Sequence, residues 1–137
     1  MGLTVVDAGV VIGLLDRSDT HHSSAVSALG DAGDRGDRLM VPMSALAEVL
    51  IGPARKGVHA VEVVLEFIAR VPMQVVPLDQ PIALAAAALR ARHRSVKLPD
   101  AFVVATASVL AADRLLTTDR RWPTAARLGL SSTIQII

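Results

Sequence analysis

The chain has 137 residues, with 14 Lys and Arg against 13 Asp and Glu, no Cys, and 52% apolar residues. That length supports one compact domain spanning residues 1–137 with a real core and is too short for two; the lack of Cys excludes disulfides and thiol catalysis and leaves any metal to oxygen or imidazole ligands. No apolar run reaches the roughly 20 residues of a membrane-spanning helix, so a soluble cytoplasmic protein without membrane contact is expected, and a formal charge of +1 names no partner by itself.

The opening "MGLTVVD" has no basic region followed by an apolar stretch and a cleavage site, which predicts no signal peptide. "LTVVD", residues 3–7, is a β-branched run ending in an acid and reads as a buried strand, followed by a helix over "AGVVIGLL", 8–15. A second helix is predicted over "THHSSAVSALG", 20–30, then a loop over "GDAGDRGDRL", 30–39, on its Gly and Asp turn chemistry. The strand "RLMVP", 38–42, leads into helices over "SALAEVL", 44–50, and "KGVHAVEVVLEFIAR", 56–70. In the latter Val61, Val64, Leu65 and Ile68 fall on one apolar face. Then come the strand "VPMQVVPL", 71–78, helices over "DQPIALAAAALRARH", 79–93, and "PDAFVVATASVLAAD", 99–113, and late strands "RLLTTD", 114–119, and "STIQII", 132–137. Strands alternating with helices throughout argue for a doubly wound α/β domain, its sheet mainly parallel, with helices on both faces. No repeat, low-complexity tail or linker interrupts it.

In an open α/β sheet the ligand crevice lies beyond the carboxyl ends of the strands. Four acids fall at or near that edge: Asp7 closing the first strand, Glu48 in the first turns of the helix after "LMVP", Asp100 opening a helix after Pro99, and Asp119 after "LLTT". Each has a plain structural role that competes with chemistry. Asp7 suits an N-cap. Asp100, beside a Pro fit for the first helical turn, complements the helix dipole. Asp119 could cap a short helix, since Pro123 prevents a regular continuation. Glu48 is one residue too late for a capping box headed by Ser44, which leaves an exposed helix position. Taken together, four carboxylates on one edge repel one another and raise some of their own pKa values unless a cation lies between them. Mg²⁺ takes one or two carboxylates, keeps several waters and binds substrate phosphate in its open positions, so the pattern points to metal-assisted phosphodiester chemistry. Thr117 and Thr118 are placed to hydrogen-bond a carboxylate or a water there, or simply finish the strand.

The strings "VVDAGVVIGLL", "SALAEVL", "KLPDAFVVATA" and "LLTTDRRW", in this order and in a chain of this length, resemble the PIN-domain ribonucleases, most closely the VapC toxins of toxin–antitoxin pairs. The resemblance covers essentially the whole chain. It implies that Asp7, Glu48, Asp100 and Asp119 hold Mg²⁺ or Mn²⁺, and that Thr117 is the family's hydroxyl before the last acid. It further implies cleavage of RNA, a homodimer, and inhibition by a cognate VapB-type antitoxin inserting a C-terminal segment near the site. One position departs from the pattern: Gly9 stands where a Ser or Thr is usual, and supplies no hydroxyl.

Basic residues flank two of the acids: Arg90, Arg92, Arg94 and Lys97 precede Asp100, and Arg120 and Arg121 follow Asp119. They suit phosphate contacts with RNA, or equally a solvated helix end. Phe67, Phe102 and Trp122 are the only aromatics, so a base-stacking platform is not expected, and Trp122 is read as packing beside Pro123, with stacking on a base as the alternative. His21, His22, His59 and His93 are read as surface residues with no paired ligand spacing. Two other readings compete: a receiver-like Mg²⁺-binding signalling domain, against which Asp7 lacks an adjacent acid, and a catalytically weak PIN fold serving as a binding module, for which Gly9 is the argument.

Overall fold

Val5 and Val6 are neighbours in one strand and both are fully buried, yet they belong to different cores, and the same holds for Leu115 and Leu116. Alternate side chains of a strand point to opposite faces, so each of these strands is covered on both sides. This is why they read as continuous apolar runs and not as alternating ones. The computed structural model describes residues 2–137.

The five strands are β1 (Leu3–Val6), β2 (Arg38–Pro42), β3 (Met73–Val76), β4 (Arg114–Thr117) and β5 (Thr133–Ile136). They form one wholly parallel sheet in the order β3-β2-β1-β4-β5. Helices α1 (Ala8–Leu15), α2 (His22–Asp34), α3 (Met43–Lys56) and α4 (Val58–Arg70) bury their apolar residues on one face. Helices α5 (Gln80–Arg92), α6 (Leu98–Val109) and the short α7 (Ala125–Leu128) cover the other. The architecture is the α/β sheet with helices on both faces that the sequence predicts. Receiver-type domains carry the order 2-1-3-4-5, so the strand order speaks against that alternative.

Several boundaries differ from expectation. The predicted loop from residue 30 begins instead as the last turns of α2, which runs to Asp34. Ala25, Ala28, Leu29 and Ala32 are buried at helical spacing, and that packing overrides the weak helix preference of Gly30 and Gly33. Helix α3 continues to Lys56 through Pro53. On α4 only Ile68 is buried, while Leu65 and Phe67 stay 41% and 39% exposed, so the predicted apolar face is narrower than its sequence spacing. Helix α6 stops at Val109, four residues short of expectation. There Ala112 N–H donates to Ala107 O at 2.9 Å and Ala111 N–H to Ser108 O at 3.1 Å, with Ala111 at φ 51°. This closure is normally marked by Gly; with Ala in its place, nothing in the sequence announces the stop.

Because β2 and β4 flank β1 on opposite sides, the chain reverses its winding direction at β1. The crevice of such a sheet opens there, past the carboxyl ends of the strands. Asp7 follows β1 and Asp119 follows β4 at that opening.

Candidate active site

Asp7 is both cap and candidate ligand. It is the N-cap of α1, its Oδ1 accepting the Ala8 N–H at 2.8 Å, and it is only 8% exposed. Its Oδ2 accepts the Thr117 hydroxyl at 2.8 Å. Thr117 in turn accepts the Asp119 N–H at 3.1 Å, so one fully buried hydroxyl links the end of β4 to the end of β1. Burial pushes the Asp7 carboxyl above its ordinary value; the bonds from Thr117 and Ala8 counter that rise, and the charges of Asp100 and Asp119 add to it.

Asp100 lies in the first turn of α6, whose N-cap is Lys97. Burial and then the charge of Asp119 raise its pKa, against the lowering effects of Trp122, Lys97 and Arg121. Glu48, exposed on α3, is raised by partial burial and by the charges of Asp7 and Asp100. Asp119 behaves differently. Burial works against its charge, but the Arg121 backbone N–H at 2.9 Å, the Arg121 guanidinium and the Trp122 indole outweigh this, and its pKa is lowered. It caps no helix; it holds the turn after β4 through Arg121.

Four elements therefore bring Asp7, Glu48, Asp100 and Asp119 near enough for their charges to act on one another. Among the described residues no three acidic, His or Cys side chains are spaced to share one ion. Mutual repulsion keeps carboxylates apart, and Mg²⁺ needs only one or two of them directly, the rest acting through water. The donor set is hard oxygen, which suits Mg²⁺ or Mn²⁺. The histidines lie elsewhere: His22 Nδ1 meets Gly13 O at 2.8 Å and His21 pairs with Asp19, so both are half-buried and tie the start of α2 down, not free at the surface as expected.

At Gly9 a side chain would collide with Thr118, whose Oγ1 stands 2.2 Å from where a Cβ would be. The space left by the missing side chain is thus taken by a hydroxyl from β4's far end. The basic candidates divide. Lys97 and Arg121 line a recess with Asp100 and Asp119, whereas Arg90 and Arg94 line a second recess with Ala87, Ala91 and Leu98. Arg90 also donates to Arg94 O at 2.6 Å, and Arg92 and Arg120 are exposed. Beside Glu48, an apolar groove of about 560 Å³ runs between α1, α3 and α4, lined by Ile12, Leu15, Val49, Val63 and Val64. Trp122 borders the acidic recess, a placement that its sequence neighbours did not signal.

Fold and site together define an α/β domain with a carboxylate cluster at the switch point of its parallel sheet. The chain belongs to the PIN domain family, whose pattern matches residues 4–128. By sequence it matches no curated protein. Its fold is similar to VapBC2 from Rickettsia felis bound to a DNA fragment from its promoter, with TM-score 0.75 and 13% identity, covering 98% of this chain and 98% of that one. It is also similar to Mycobacterium tuberculosis VapC20, a Sarcin-Ricin loop cleaving toxin (TM-score 0.71, 16% identity, 86% and 91% covered). A toxin–antitoxin complex from Klebsiella pneumoniae gives TM-score 0.67 at 21% identity, with 86% and 88% covered. No helix among the described residues is long and apolar enough to cross a membrane.

Proposed function

We propose that this chain is a VapC-like toxin, a divalent-metal-dependent endoribonuclease that hydrolyses RNA phosphodiester bonds. The observation that carries the reading is the convergence of Asp7, Glu48, Asp100 and Asp119 from four elements onto the switch point, with three of their pKa values raised. Such a site is costly without a compensating cation. Asp7 and Asp100 would hold Mg²⁺ or Mn²⁺ directly, with Glu48 and Asp119 acting through water. When bound, the ion supplies neutralisation of the phosphodiester and activation of the attacking water. Thr117 keeps the Asp7 carboxylate fixed and ties it to the Asp119 turn. Lys97 and Arg121, beside the acids, would hold the strand's phosphates, with Arg90, Arg92, Arg94 and Arg120 further out along its path.

A VapB-type antitoxin is the proposed partner, and the apolar groove beside Glu48 is the place for its inserting segment. We further propose a cytoplasmic homodimer in which residues 1–137 act as one domain. The test is Asp100→Asn, which keeps the size and removes the charge. It should abolish RNA cleavage and toxicity on induced expression while the fold melts cooperatively as before. Cleavage at the wild-type rate with Mg²⁺ present would sink the site assignment, and sequencing RNA ends after brief induction identifies the substrate.

A further inference from the structure

A recess of about 690 Å³ lies at the end of α5, lined by Ala87, Arg90, Ala91, Arg94 and Leu98, with no acid in its wall. Other recesses pair their cations with carboxylates: Lys56 with Asp16 and Glu48, Arg38 with Asp37, Lys97 and Arg121 with Asp100 and Asp119. Among the described residues neither Arg90 nor Arg94 forms an ion pair. Arg90 donates to Arg94 O at 2.6 Å, which holds its guanidinium in the wall, while the Arg94 guanidinium makes no hydrogen bond among those residues. The floor is Ala87, Ala91 and Leu98, the last 48% exposed.

An apolar floor, a held cationic plane and a free fork of donors suit a flat ligand rich in acceptors. Unstacked RNA bases are laid on aromatic rings or on guanidinium planes. Rings are not at hand: Phe102 and Trp122 pack against the core, and Phe67 lies on α4 across the sheet. An Arg fork pairs with the O6 and N7 acceptors of guanine, whereas adenine sets an N6 donor beside its N7 and opposes it. A second copy packed two-fold on this face would bring unpaired arginines against each other. Leu98 and Asp100 share the first turn of α6, so the recess adjoins the acidic edge.

We propose that this recess takes the base of one unpaired guanine nucleotide next to the phosphate held at the acids, its ring on the apolar floor beside Arg90 and its O6 and N7 accepting from Arg94. The proposal rests on the nuclease reading and specifies the substrate as RNA with an unpaired guanine beside the cut.

Titrating the full chain with guanosine 5′-monophosphate, without divalent metal, should shift the NMR signals of the Ala87, Ala91 and Leu98 methyls saturably. The adenosine and cytidine monophosphates should bind about tenfold more weakly, the discrimination of one bidentate pair. Arg94→Lys keeps the charge and loses the fork, and should abolish that preference. In RNA, 7-deazaguanine beside the cut lacks the N7 acceptor and should lower kcat/KM about tenfold, mostly through KM. Equal binding of the three monophosphates means a phosphate contact alone and overturns the proposal. A silent titration, methyl shifts that follow protein concentration and not nucleotide, or cleavage indifferent to 7-deazaguanine overturns it too, and continued RNA cleavage then leaves the nuclease reading intact. A guanine-selective response in a chain that cuts no RNA upholds the recess and defeats the nuclease reading instead.

Discussion

Replacing Thr117 with Val tests the link between the two strand ends. Val has nearly the same shape and suits a strand, so the change removes one hydroxyl from a fully buried position. Two bonds go with it: the 2.8 Å donation to Asp7 Oδ2 and the 3.1 Å acceptance from Asp119 N–H. A bond to a carboxylate contributes about 1.5–3 kcal/mol and a neutral one about 0.5–1.5 kcal/mol, giving an expected loss of about 2–4.5 kcal/mol. Thr117→Ser keeps the hydroxyl and loses one methyl group, which costs about 1 kcal/mol. Urea denaturation with an unchanged m-value measures both. The loss in Thr117→Val should shrink as pH falls through the raised folded pKa of Asp7 and be smallest by pH 3.8, the ordinary value for this carboxyl. Under the proposed function RNA cleavage should fall about 10- to 100-fold in the Val variant, since a carboxylate freed by even 1 Å is badly placed. A Val variant as stable as the Ser variant would show that the hydroxyl links nothing.

Other predictions concern charge, space and backbone. In the absence of divalent metal, Asp100→Asn should gain stability over the wild type as pH rises from the ordinary value of 3.8 to the raised folded pKa, and the gain should be constant above it; under the proposed function adding Mg²⁺ should reverse the sign, because the wild type alone would bind the ion well. Denaturation curves from pH 3 to pH 8 check this. Gly9→Ala places a Cβ 2.2 Å from Thr118 Oγ1 and should cost about 1–3 kcal/mol, most of it absent in a Thr118→Ala background; equal costs in both backgrounds would refute the contact. Ala111→Gly relieves a left-handed residue at φ 51° and should stabilise the fold by about 1 kcal/mol in urea denaturation, with cleavage unaffected.

What the sequence made legible follows from local rules. Strands buried on both faces show as β-branched runs, and acids at their carboxyl ends mark the crevice, so β1, β4, Asp7 and Asp119 could be read directly. Thr117 was legible for the same reason, standing two residues before Asp119 at a strand end. Helix ends were not, because α6 stops on Ala111 where a Gly would have signalled it, and α2 runs through two glycines held by packing. The contact of Gly9 with Thr118 joins residues far apart in the chain, and its sequence sign, a missing hydroxyl, reads as a defect until the facing side chain is seen. Trp122 reads as packing beside Pro123, and it does pack against the core. The burial of its one polar atom depends on how the turn after Asp119 folds over α6, and no local rule sets that.

The helix starts bear on how the acidic edge works. Asp7 caps α1 and Asp100 sits in the first turn of α6, two places where the helix dipole favours a carboxylate. Both pKa values are nevertheless raised, so burial and mutual repulsion outweigh the dipoles. Under the proposed function the same dipoles would oppose a cation at this edge, so that one acid at a helix start would not be enough and Glu48 and Asp119 would have to join. The cost of burying and crowding these charges in the free site would be released if a cation bound there, so cation affinity and the instability of the free site would be linked. A substitution at Asp7, Glu48 or Asp100 that stabilises the metal-free fold by removing charge must weaken cation binding in proportion, and a variant that gained both would break the argument.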